Sequence, residues 1–124
     1  MHKKNTRSLG KHYEIEAMQY LLTKGYEIIE QNWQCGRIGE IDFIIIDRNR
    51  FKRSYLVFVE VKYRFSGLQA AKEAVNYRKQ LQIKKLSQLY LKSKKISETK
   101  INISYDVIAI GPKKIEHIKD IFQI

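Results

Sequence analysis

Cysteine occurs once in the 124 residues, at Cys35, so the chain cannot close a disulfide on itself and fits a reducing compartment. The three histidines, His2, His12 and His117, lie too far apart for metal-ligand spacing, and with one cysteine that leaves no zinc pattern. The six glycines form no phosphate-binding loop, and the single proline, Pro112, follows Gly111 at the end of an apolar run. No Ser-His-Asp or Cys-His arrangement suggests itself. No apolar run approaches the roughly 18–20 residues that cross a bilayer, and no apolar segment follows the basic N-terminus as in a secretory signal. A cytoplasmic protein without a membrane partner is expected.

Acid is the scarce charge. Asp plus Glu number 13 against 24 Lys plus Arg, for a net charge of +11. Such a field attracts polyanions, nucleic acid first among them, with a second copy of the chain as an allowed further partner. Part of the excess sits in expected tails and loops, at His2–Arg7, Arg48–Arg53 and Lys92–Lys95. A lysine-rich composition alone gives the same count, so the scarce acids carry more information than the abundant bases. With 44% hydrophobic and 11% aromatic residues the chain is rich enough to fold, and its length suits one domain over 1–124 with a basic arm at 1–7.

In chain order, Ser8 is placed to cap a helix running to Lys24, stopped by Gly25. At 100° per residue, Tyr13, Ala17, Met18, Leu21 and Leu22 share an apolar face, and Glu14 falls near its middle while Glu16 points away. Tyr26–Trp33 reads as a strand and Gln34–Ile38 as a turn. Gly39–Asp47 and Tyr55–Tyr63 are short apolar β-branched runs, the pattern of strands buried on both faces, joined by an open loop at Arg48–Ser54. Leu68–Val75 reads as a short helix, and Asn76 as the cap of a longer one to Ser93. Its Ile83, Leu86 and Tyr90 face the core, while Arg78, Lys79, Lys84, Lys85 and Lys92 supply much of the positive charge. Ile101–Ile110 and Lys114–Ile118 are further strands, with a helical turn to Ile124. The order α-β-β-β-α-β-β makes a mixed sheet with helices against it, α/β bordering on α+β.

Charge interrupts the two central strands. Side chains alternate along a strand, so Asp42 shares a face with Ile44, and Glu60 and Lys62 share one with Phe58. Pairing Asp47 with Tyr55 across the hairpin sets Asp42 opposite Glu60 and Glu40 opposite Lys62. Two like charges about 4 Å apart repel by about 4 kcal/mol at an effective dielectric near 20, so the acids need a proton, a lysine or a cation. All-oxygen donors suit Mg²⁺ or Mn²⁺, which activate water and stabilise a phosphoryl oxygen. The plainer reading is a Glu40–Lys62 cross-strand pair worth under about 1 kcal/mol. Asp106 reads as a structural cap or loop anchor.

Asp42, followed 18 positions later by Glu60-Val61-Lys62, resembles the PD-(D/E)XK nuclease signature, and with Glu14 on a preceding helix it is similar to the Holliday-junction-resolvase branch. Glu14-x-x-Ala17, Gly25-Tyr26, Asn32-Trp33, Gly39-Glu40-Ile41-Asp42, Val57–Arg64, Glu73-Ala74-Val75 and Asp106-Val107-Ile108 together resemble the uncharacterised YraN-like family of small bacterial proteins. Ile41 stands where the superfamily carries proline; the acid after it is in place. The resemblance implies a restriction-endonuclease-like core, a central mixed β-sheet flanked by helices. It implies a nuclease cutting DNA, structured or branched DNA included, with Asp42 and Glu60 as ligands of Mg²⁺ (or Mn²⁺), Lys62 as catalytic lysine and Glu14 as supporting acid. Arg64, Arg78 and Lys79 are the expected nucleic-acid contacts. The alternative is a non-catalytic nucleic-acid-binding module or adaptor that keeps the fold.

Overall fold

A buried strand pair organises the chain. In the computed structural model, which describes residues 4–121 and their side chains from residue 10 onward, Phe43, Ile44, Ile45, Val57, Phe58 and Val59 are all 0–1% exposed. They belong to β2 (Gly39–Arg50) and β3 (Arg53–Tyr63), the middle of a five-stranded sheet completed by β1 (Glu27–Cys35), β4 (Asn102–Ile110) and β5 (Ile115–Ile118). The strands lie in the order β1-β2-β3-β4-β5, antiparallel except for the parallel β3–β4 pair. That parallel pair is made by a crossover through α2 (Leu68–Glu73) and α3 (Tyr77–Ser93), the connection parallel strands require. A mixed sheet flanked by helices is therefore the architecture, in the order α-β-β-β-α-α-β-β: the short and the long segment read before β4 are separate helices, where the expected order counts one.

Alternation sorts the core into two layers. Phe43, Ile45, Val57 and Val59 pack with Ala17 and Leu21 of α1 (Lys4–Thr23), while Ile44 and Phe58 pack with Ala71, Ile83, Leu86 and Tyr90 of α2 and α3. Each fully buried Val, Leu, Ile or Phe among them contributes about 1.5–3 kcal/mol by leaving water. The Asn76 carboxamide accepts from the Lys79 amide at 3.0 Å, the N-cap read from the sequence. Gly39 is required by its backbone, at φ 138; a Cβ there would also meet the movable end of Gln82 at 2.6 Å.

Several boundaries differ from expectation. Lys4–Arg7 are the first turns of α1 rather than an arm; residues 1–3 of that arm, and residues 122–124 of the expected terminal turn, lie outside the described residues. No helix follows β5 among the described residues. The apolar face of α1 is rotated, because Tyr20 joins Ala17 and Leu21 against the sheet while Leu22 is 55% exposed. The expected open loop at 48–54 closes as a two-residue turn, with Phe51 and Lys52 at φ 51 and 62 and Arg50 facing Arg53.

Arg50 explains that turn. Counted from the sequence among loop cations, it is 6% exposed. Its guanidinium donates to Asp47 at 2.8 Å, to Ser104 at 2.9 Å and to both Asp106 oxygens at 2.8 and 2.7 Å. Asp106 also takes His117 Nε2 at 2.6 Å and the Asp120 amide at 2.9 Å, and the Tyr20 hydroxyl meets His117 Nδ1 at 3.1 Å. A serine, a histidine and an aspartate thus do meet, but Ser104 bonds Asp106, Asp120 and Arg50, which makes the group a structural anchor. Burial alone would raise the Asp106 carboxyl; the bonds from His117, Arg50 and the Asp120 amide outweigh it and hold it below the ordinary carboxylate range.

Asp106→Ala would strand the buried Arg50 charge and should destabilise the fold by about 3–5 kcal/mol, read as a lowered urea midpoint. A carboxyl depressed in the folded state stabilises fully above its unfolded value near about 3.9, and that contribution is lost as pH falls through the lower folded value. The wild type should therefore lose stability toward the mutant's level in acid, and a midpoint difference that ignores pH would refute the anchor role.

Candidate active site

The β2–β3 ladder runs from Asp47–Tyr55 to Phe43–Val59, which is the register read from the sequence. There it stops. The start of β2 continues to pair with β1 through Ile41, Glu40 and Gly39, and the end of β3 continues to pair with β4 from Glu60 to Tyr63. The two strands part, and the Val61 amide, which a continued ladder would have bonded, donates instead to Asp42 Oδ2 at 2.7 Å. The resulting cleft of about 660 Å³ is floored by this gap and walled by α1 and α3.

Asp42, Glu60, Lys62 and Glu14 all line this cleft, with Arg64 and Lys79. Arg78 does not; it borders a neighbouring hollow with Lys79 and Gln82. The strict alternation that predicts one shared face for the acids fails at the parting, since Ile41 packs in the same layer as Ile44, three positions on. Two groupings result. Glu14, Glu40 and Asp42 bring one carboxylate oxygen each within 4.8 Å of one another, a spacing that could hold a metal ion. Asn32 fixes two of them, donating through Nδ2 to Glu14 at 2.9 Å and to Glu40 at 3.0 Å, while Gln34 donates to Glu40 at 3.1 Å. Glu60, 5% exposed, instead lies between Lys62 Nζ at 3.4 Å and Lys79 Nζ at 3.3 Å.

Glu40 and Lys79 are what sequence reasoning misplaced. Register sets Glu40 opposite Lys62, but Lys62 turns to Glu60 on its own strand and Glu40 turns to Asn32. Lys79, read only as a surface contact, is Glu60's second counter-ion. Nothing in the linear sequence places Asn32, which bridges the acids from φ 52.

Asp42 carries the strain of this arrangement. Burial, followed by the Glu60 charge and then those of Glu14 and Glu40, raises its carboxyl well above the ordinary range; only the Val61 amide opposes them. A carboxyl raised in the folded state costs stability as pH rises from the unfolded value near about 4 through the folded one. Asp42→Asn keeps an oxygen for Val61 and removes the charge, so its melting temperature should exceed the wild type's at neutral pH and converge on it below about pH 4. A neutral-pH melting temperature below the wild type's would contradict the crowding of charge.

Comparison with known proteins follows the same residues. The chain is 44% identical to a UPF0102 protein of Thermodesulfovibrio yellowstonii over 115 residues, covering 92% of this chain and 95% of that one. It is 42% identical to a UPF0102 protein of Acetivibrio thermocellus over 113 residues, covering 90% and 82%. It is likewise 42% identical to one of Photobacterium profundum over 110 residues, covering 87% and 83%. Residues 13–110, which include every lining residue of the cleft except Gly10, match the uncharacterised protein family UPF0102, and the chain belongs to that family.

Proposed function

We propose that the protein is a divalent-metal-dependent nuclease hydrolysing phosphodiester bonds of DNA, structured or branched DNA included. One observation carries the reading: three carboxylates within 4.8 Å of one another share a cleft with Lys62 on a chain of net charge +11. The donor set fits Mg²⁺ or Mn²⁺, being all oxygen and oriented by amide donors. Such an ion would contribute charge at a phosphoryl oxygen and acidify a bound water.

The chain's own residues do the rest. Glu14, Glu40 and Asp42 would hold the cation, steadied by Asn32 and the Val61 amide, in place of the Asp42–Glu60 pair expected from the sequence, because two lysines already lie on Glu60. Lys62 would turn its ammonium from Glu60 to the charge developing on the reacting phosphate, an electrostatic role. Lys79 would stay on Glu60 and keep that buried carboxylate neutralised while Lys62 moves. Arg64, whose guanidinium bonds only the Tyr63 carbonyl at 2.8 Å among the described residues, and Arg78 would take flanking phosphates.

The rival reading, a non-catalytic nucleic-acid-binding module, draws on the same Glu60: with two lysines on it, part of the cluster balances itself without a metal. Activity decides between them. Linear, single-stranded, flapped and four-way DNA incubated with Mg²⁺ or Mn²⁺ should be cut by the wild type and left intact by Asp42→Ala. Lys62→Ala should lose about 10²–10³ in turnover while binding Mn²⁺ as the wild type does in calorimetric titration. No cleavage of any substrate, together with no Mn²⁺ uptake even with DNA present, would leave the binding module standing.

A further inference from the structure

The outer side of α3 is a row of cations that no acid among the described residues answers. Between Glu73 and Glu98 the chain carries seven Lys and Arg and no acidic residue. α3 buries Ile83, Leu86, Ser87, Tyr90 and Leu91. At 100° per residue the opposite side of the helix carries Arg78, Lys85 and Lys92, each seven positions from the last, and all three are exposed. Lys79 and Lys94, at the two ends of the helix, are paired with Glu60 and Glu30. The three outer cations have no ion pair or side-chain hydrogen bond among the described residues. Arg78 does not serve the helix either, since it stands in the first turn, where the helix dipole favours acid and none is present.

The row begins at the cleft. Residues three and four apart on a helix are neighbours, and Gln82, which lines the cleft, lies four after Arg78 and three before Lys85. Arg78 itself borders a hollow that shares Lys79 and Gln82 with the cleft. At 1.5 Å per residue the row from Arg78 to Lys92 spans about 21 Å, the length of about six base-pair steps. No ring is exposed along it, since its single aromatic residue, Tyr90, is 3% exposed. A strand with free bases is held by stacking platforms, whereas a duplex turns its phosphates outward and asks for cations. A bilayer would ask α3 for an apolar face, and that face is spent on the core. We infer that the outer side of α3 is a docking surface for the phosphate backbone of duplex DNA, held beside the cleft by Arg78, Lys85 and Lys92. This rests on the nucleic-acid reading above and adds that the DNA flanking the cleft is paired.

Fluorescence anisotropy of a labelled blunt duplex across a salt series, in EDTA so that nothing is cut, tests this. Each duplex phosphate contact adds about 0.9 to the slope of log affinity against log salt, so Lys85→Gln combined with Lys92→Gln should lower the wild-type slope by about 1.8. Lys113→Gln combined with Lys114→Gln removes the same charge elsewhere, from a hollow shared with His12 and Glu16 of α1, which packs on the other face of the sheet from α3. That control pair should leave the slope unchanged. All four lysines are exposed, and glutamine suits a helix, so melting temperatures should not move, which separates a lost contact from a lost fold. A slope lowered as much by the control pair as by the α3 pair, or poly-glutamate bound as tightly as duplex at equal salt, would overturn this inference and leave metal-dependent cleavage standing. Binding to neither duplex nor oligo-dT would overturn both.

Discussion

The hydrogen bond from the Val61 amide to Asp42 is the join on which the cleft depends. A sheet can open between two strands only if the amides it abandons find other acceptors, since a buried unpaired amide costs about 1–3 kcal/mol. Here a side chain supplies the acceptor. Asp42 therefore does two things at once: it closes the frayed seam, and it brings a carboxylate oxygen within 4.8 Å of those of Glu14 and Glu40. The parted ends stay ordered because each keeps its outer neighbour, β1 for Gly39–Ile41 and β4 for Glu60–Tyr63. A cleft built this way is held open by the ladders on both sides rather than by any loop.

The other end of the same strand pair is closed as firmly as this one is open. Arg50, at the far end of β2, ties the hairpin to β4 through Ser104 and Asp106, and Asp106 ties β4 to β5 through His117. Three strands, β2, β4 and β5, thus converge on one buried carboxylate. The left-handed backbone at Phe51 and Lys52, costly for residues with side chains, is tolerated where the strands on each side of it are pinned. The sheet is clamped at the hairpin and splayed at the cleft.

How much of this is legible in the linear chain follows from what kind of interaction each feature uses. Strands and helices announce themselves through periodicity, and the hairpin register through the match of two apolar runs, so Asp47 facing Tyr55 is readable. The parting of the strands is not, because it turns on one hydrogen bond between a side chain and an amide 19 positions away. From that point alternation stops being a guide, and Ile41 lands in the layer that parity assigns to its neighbours. Arg50 and His117 look like surface residues by type. Only their convergence on Asp106, which the fold creates, makes them interior. Residues brought together by long-range charge pairing are the ones a single sequence conceals.

Charge balance links the cleft to the rest of the molecule. Four carboxylates line it (Glu14, Glu40, Asp42 and Glu60) against three cations (Lys62, Arg64 and Lys79), so its interior is locally acidic in a chain of net charge +11. The surrounding field would draw in a polyanion of the kind proposed above, and the acids would oppose its last approach. Two species can relieve that opposition. A proton can settle on Asp42, whose raised affinity for it has the same cause, or a divalent cation can sit among the three carboxylates. The two compete for the same oxygens, so cation binding must release whatever proton the site holds and must strengthen as pH rises. Glu60 takes part in this opposition, its charge acting on Asp42 ahead of those of Glu14 and Glu40, although two lysines lie against it. Of the four nearby acids, Glu60 is the one given two lysines among the described residues, Lys62 from its own strand and Lys79 from α3.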